Sequence, residues 1–239
     1  MTDTARIGRS KRKVIALLLA LLISSVSVPG SAAPSTGLNP DQALGWTKYE
    51  LSQLWYAVYG TMAGYRTPNW IGWYSAEYKV HWLQSCGPGT TAGSTLGHYC
   101  HLDENVYLDW DIARLMDTTY GDYAYSGIIA HEWGHHIQYL LGWPYTYRNK
   151  GYYANFELHA DCLSGVWARW AYQRGVINAD DVNAIRNFYW YYLGDANIWV
   201  QTDQYNNPDA HGTREQRYGW FNWGYGQYNL NSCATVFNA

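Results

Sequence analysis

Apolar and polar positions change period twice along the 239 residues of this chain. Between Asp41 and Ala63, the residues Leu44, Tyr49, Leu51, Leu54, Trp55 and Val58 fall on one broad face at helical spacing, which predicts a helix. From Trp70 the repeat shortens. Trp70 to Trp73 and Tyr78 to Leu83 are short aromatic or β-branched runs, and Asn105 to Asp111 alternates Val106, Leu108 and Trp110 against Tyr107 and Asp109. These predict strands of one small sheet, with the breaker-rich stretch from Gly87 to Gly97 as the loop between them. From Tyr123 onward the period is helical again. One helix ends at Gly142 and Pro144, a second runs from about Tyr153 to Arg174 and stops at Gly175, and a third takes Asn178 as its N-cap and stops at Gly194. A fourth opens at Thr213, where Thr213 and Gln216 form a capping-box pair. There is no internal repeat, so the pattern predicts one α+β unit with the helices carrying its second half.

The N-terminal residues stand apart from that pattern. Arg6, Arg9, Lys11, Arg12 and Lys13 precede an apolar run from Val14 to about Val28, which is broken by Ser24, Ser25 and Ser27 and followed by Pro29 and Gly30. The run falls short of the roughly 18 to 20 apolar residues that a spanning helix needs. It reads as a signal peptide over residues 1–33, cleaved near Ala32 or Ala33, with 34–239 as the mature domain and an N-terminal membrane anchor as the alternative. A secreted protein without stable membrane insertion is the expectation. The leader takes five of the 16 basic residues and one of the 19 acidic ones, leaving 11 against 18, a net charge of about −7. Nucleic acid is not expected as a partner at that balance. Tyr and Trp together supply 38 positions, 24 and 14, so packing rests on amphipathic aromatics with hydrogen-bonded rims; a carbohydrate or cell-wall surface is the alternative use of that excess.

Cys86, Cys100, Cys162 and Cys233 are an even number in an exported chain, which predicts two disulfides. Three pairings are possible. The favoured one joins Cys86 to Cys100 around a Gly-rich loop and Cys162 to Cys233 across the C-terminal half. None has CxxC spacing, so a cysteine metal site is not expected.

Candidate chemistry lies in His131-Glu132-Trp133-Gly134-His135, an HExxH inside an apolar helical pattern. Spacing of i to i+4 puts both imidazoles on one face, close enough to share a metal, and Glu132 stands about 100° round the helix. There it can take a proton from a water bound at the open position. On the next helix Glu157 and Asp161 are also four apart. Glu157 can complete a three-donor zinc site, and Asp161 can accept the second N–H of a ligand histidine and fix its tautomer. A mid-helix glycine costs roughly 1 kcal/mol relative to alanine, so Gly134 implies close approach of another backbone. His136 and His159 point away from the site and read as structural. His211, just before the helix opened by Thr213, is a candidate donor to the oxyanion formed on a scissile carbonyl.

The strings Val106-Tyr107-Leu108-Asp109, His131 to Gln138, Glu157-Leu158-His159-Ala160-Asp161-Cys162 and His211-Gly212-Thr213-Arg214-Glu215-Gln216-Arg217 resemble the bacterial family known as "putative neutral zinc metallopeptidase". The resemblance spans roughly Gly45 to Phe237. It implies a zincin-like architecture with a small sheet beside the HExxH helix, a glutamate third ligand as in gluzincins, and peptide-bond hydrolysis. His159, His101 and Ala196 stand where glutamine, proline and a second aspartate are common in that family. The expected activity is a zinc peptidase acting on a peptide or protein, of unassigned specificity and oligomeric state. Two alternatives stay open: a noncatalytic secreted domain with a stabilising zinc, and a zinc hydrolase acting on cell-wall or other amides.

Overall fold

In the computed structural model, the structure describes residues 38–73, 96–143, 153–194 and 210–238. The leader at 1–33, the expected strand Tyr78 to Leu83, most of the Gly87 to Gly97 loop and Cys86 all lie outside the described residues. No helix among the described residues is long and apolar enough to cross a membrane.

Helix α1, Pro40–Tyr59, begins on a capping box in which Asn39 accepts from the Gln42 N–H and Gln42 returns the bond, with Pro40 in the first turn. It buries Leu44, Leu51, Leu54 and Trp55. Tyr49, expected on that face, instead points to solvent, and the helix stops four residues short of Ala63. Thr47 and Ser126 share a buried hydroxyl–hydroxyl bond of 2.7 Å that ties α1 to the third helix.

Strands β1 (Asn69–Trp73), β2 (Gly97–Cys100) and β3 (Asn105–Asp109) form a sheet in the order β1-β3-β2. β1 runs parallel to β3, with Asn69 opposite Asn105 and Trp73 opposite Asp109, while β2 is antiparallel with Tyr99 opposite Val106. β3 is shorter than the Asn105 to Asp111 expected. The Asp109 side chain accepts from the backbone N–H groups of Asp111 and Ile112, which ends the strand and starts helix α2, Trp110–Tyr120.

Helix α3, Ser126–Leu140, carries the HExxH, and Gly142 beyond it is left-handed at φ 73°. Helix α4, Tyr153–Gln173, carries Glu157 and Asp161. Helix α5, Ala179–Tyr191, starts at the Asn178 capping box. Helix α6, Arg214–Gln227, starts at the Thr213–Gln216 box, and a short helix α7, Leu230–Cys233, leads into a final 3₁₀ turn, Ala234–Asn238. The fold is α+β, with α4 packed against both α3 and α6 and β2 lying against α3.

Two glycine contacts set how closely α4 and α6 approach. A methyl group at Gly165 would sit 2.0 Å from the Phe221 carbonyl oxygen, and one at Gly224 would sit 2.0 Å from that of Cys162. Neither position has room for a side chain. The Cys162–Cys233 bridge forms as expected and joins α4 to α7. Cys100 is also disulfide-bonded, and its expected partner Cys86 is among the residues not described.

Candidate active site

The site begins with the backbone of α3. His131 and His135, one turn apart, turn both Nε2 atoms to the same point, 3.0 Å from each other. Helix α4 brings the Glu157 Oε2 to 3.1 Å from the His131 Nε2 and 3.3 Å from the His135 Nε2. The helices cross this closely because Gly134 faces Ala160: a methyl group there would meet the Ala160 Cα and Cβ at 3.3 Å. The mid-helix glycine therefore has the cause its sequence position implied.

The other ring nitrogens decide which atoms carry protons. His131 Nδ1 lies 2.8 Å from Asp161 Oδ1, and His135 Nδ1 lies 2.7 Å from Gln138 Oε1. Both partners are acceptors. Gln138 must present its oxygen to His135, because its Nε2 donates to the Phe156 carbonyl at 2.8 Å and lies 3.0 Å from His159 Nδ1. Each neutral imidazole therefore carries its hydrogen on Nδ1 and turns the Nε2 lone pair inward. With both rings neutral, two imidazole lone pairs and a carboxylate oxygen meet with no hydrogen among them, an arrangement that a cation at the centre would satisfy. The three donor atoms lie within 4.8 Å of one another, and their N, N, O chemistry suits zinc.

The same electrostatics that would hold a cation favour a proton in its place, so metal binding competes with protonation of His131. Burial opposes a charged His131, but Asp161 and Glu157 outweigh it and raise the ring's pKa to about 10. Burial also works against the Glu157 carboxylate, yet His135 and His131 hold its pKa well below the usual range, with a smaller push from His211. Asp161 is fully buried and would be raised by burial alone; Arg217 and His131 reverse that.

Glu132, one residue along from His131, is 7 % exposed, and its Oε2 accepts the backbone N–H of Tyr99 at 2.7 Å. Strand β2 thus holds that carboxylate from its main chain. Gly97 keeps β2 close to α3, since a methyl group there would meet Ile128 and the Glu132 side chain at 3.0 and 3.3 Å. The sequence pattern missed β2, because four residues after a glycine-rich run give no readable alternation.

His136 and His159 take structural places. His136 Nε2 donates to the Arg66 carbonyl at 2.8 Å, so its Nδ1 accepts from the Tyr99 hydroxyl at 3.0 Å. His159 is buried beside Trp143, and burial lowers its pKa to about 3. His211 is exposed, next to Gly212 at φ 96°. Two side chains were not foreseen at the site. One is Gln138, whose spacing of three from His135 was the available signal. The other is Arg217, which pairs with Asp161 from α6.

An α+β fold in which one helix supplies HExxH and the next supplies a glutamate defines an HExxH metal-centre protein. The chain belongs to the family described as "Putative neutral zinc metallopeptidase", whose profile matches residues 54–236. It is 34 % identical over 174 residues to the uncharacterized protein YpfJ of Escherichia coli (strain K12), covering 66 % of this chain and 59 % of that one. It is 33 % identical over 173 residues to the uncharacterized protein Rv2575 of Mycobacterium tuberculosis (strain ATCC 25618 / H37Rv), covering 63 % of this chain and 57 % of that one. The chain thus spans less than two thirds of the length of these relatives. No solved structure matches it.

Proposed function

We propose that this chain is an exported zinc-dependent peptidase, with residues 1–33 as its leader and 34–239 as the mature domain. His131, His135 and Glu157 hold the metal, and Asp161 and Gln138 fix the two histidine tautomers. The observation that carries the reading is the meeting of three lone pairs on one point, each turned there by a hydrogen bond or helix crossing on its far side. Zinc bound there supplies Lewis-acid polarisation of a peptide carbonyl and acidifies water. Glu132 accepts the proton as general base, and the Tyr99 N–H keeps its carboxylate facing one way. His211, at the open side near Glu157, donates to the oxyanion. A site of three protein donors plus a positioned base favours catalysis over a purely stabilising metal, which is closed by four donors.

Glu132→Gln tests this directly, because it keeps the shape and the bond from Tyr99 while removing the basic carboxylate. Zinc content and thermal stability should stay near wild type, and peptide turnover should fall by at least about 10²- to 10⁴-fold. A variant that cleaves peptides at the wild-type rate would refute the mechanism even with zinc in place.

A further inference from the structure

One buried charge at the centre has no part in the reading above. Arg217 lies in the first turn of α6 and is 6 % exposed. Its Nε donates to Asp161 Oδ2 and its Nη2 to Asp161 Oδ1, both at 2.8 Å. The same Oδ1 receives the His131 Nδ1–H at 2.8 Å, and the Arg217 Nη2 stands 3.5 Å from that ring nitrogen. All three side chains are more than nine-tenths buried. We propose that Arg217 is a positioning residue of the metal centre, setting zinc affinity by clamping Asp161 in the orientation that holds the His131 lone pair on the metal. The inference rests on the zinc reading.

Geometry gives the first argument. A carboxylate held by one hydrogen bond can rotate about its terminal bond, whereas two parallel N–H···O bonds to a guanidinium fix its plane. With the plane fixed, Oδ1 has one direction left for the His131 N–H. The second argument is charge. Among the described residues that build the centre, Glu132, Glu157 and Asp161 carry three negative charges and Arg217 one positive charge. A divalent cation brings that set to neutrality. An apolar side chain in place of Arg217 would leave the loaded site with an uncompensated buried charge, which is costly in a poorly solvated interior.

Helix cohesion does not explain the clamp. Helices α4 and α6 already meet backbone to backbone at Gly165 and Gly224, α4 is bridged to α7 by Cys162–Cys233, and Phe221 stacks on Tyr189 at 4.7 Å. An arginine kept only to join helices has no reason to place both bonds on the carboxylate that turns His131.

The test measures zinc dissociation constants by chelator competition for the wild type, Arg217→Met, Arg217→Lys, Asp161→Asn and the double variants, with melts of the zinc-stripped proteins alongside. Arg217→Met should weaken zinc about 10- to 100-fold, and Arg217→Lys, which keeps the charge without the fork, should recover only part of that. With Asn at 161 the Arg217 substitutions should add little further loss, because Arg217 acts through that carboxylate. Wild-type zinc affinity in Arg217→Met, or losses that simply add in the double variants, would overturn the proposal. Should Arg217→Met fail to fold, Arg217→Lys and its double variant carry the same comparison. A wild-type chain that binds no zinc would bring down the metal reading and this inference together. Tight wild-type binding matched by the Arg217 variants would bring down the inference alone.

Discussion

Gln138 has an amide that cannot be turned round. Its oxygen faces the His135 N–H, and its nitrogen serves the Phe156 carbonyl and His159 Nδ1. Gln138→Leu keeps the bulk and leaves all three partners unpaired in a buried place, each at a cost of roughly 1 to 3 kcal/mol. Denaturant unfolding should show a loss of at least about 2 kcal/mol, and His135, free to flip, should hold zinc more weakly by chelator competition. An unchanged midpoint and zinc affinity would deny Gln138 this role. At this scale the sequence was readable wherever one helix sets the geometry. His131 and His135, and likewise Glu157 and Asp161, are neighbours on their own helices, so spacing alone places them. Arg217 was not readable, because its partner lies 56 residues away on another helix and only the crossing of α4 with α6 brings them together.

That crossing depends on Gly165 and Gly224, whose missing side chains admit the Phe221 and Cys162 carbonyl groups. Gly165→Ala adds helix propensity of roughly 1 kcal/mol but forces a methyl group into a backbone oxygen, so the balance should be a net destabilisation of about 1 to 3 kcal/mol. The same displacement carries α6 away from Asp161. A matched control, Gly219→Ala, lies on α6 with nothing within 4 Å and should be neutral or slightly stabilising. Thermal melts of the two variants check the pair, and equal melting points would contradict the packing argument. The later helices were the legible elements, since α5 and α6 carry their N-caps in sequence and α4 is followed by Gly175 at φ 70°. The boundary between β3 and α2 was not, because Val106, Leu108 and Trp110 continue the strand alternation while the Asp109 side chain has already captured two backbone N–H groups. A local cap overrode the period.

Over the whole molecule, two features outside the His131, His135 and Glu157 cluster set stability. The Cys162–Cys233 bridge closes a separation of 71 residues, so removing it as a double alanine variant should cost about 4 kcal/mol in the chain-entropy model, read by denaturant unfolding. Asp117 contributes to the pH dependence, as does Asp181, which burial raises to about 6. Burial raises the Asp117 pKa to about 7 although the Tyr125 N–H favours the charged form. The folded chain therefore binds that proton more tightly than the unfolded chain, favouring the fold below the unfolded value near 4, and this contribution is lost as pH rises through 7. Asp117→Asn cannot ionise and keeps the acceptor for Tyr125, so it should melt a few degrees above wild type at pH 8 and alongside it at pH 4. A gain of equal size at both values would refute the assignment.

Helix α3 lies between α1, β2, β3 and α4, and every residue from Ser126 to Gln138 except His135 is buried. Across residues 131–138, His131 and His135 meet Glu157, Glu132 is held by the Tyr99 N–H, His136 and Gln138 are held by bonds, Gly134 faces Ala160, and Trp133 and Ile137 are packed in the core. A surface helix tolerates mutation in a rhythm of three and four, because one of its sides is water. This stretch has no such side. Saturation mutagenesis scored by folded yield and zinc content should therefore return eight consecutive intolerant positions, and sequence drift within the family would have to be written on the elements around α3 and not on α3 itself.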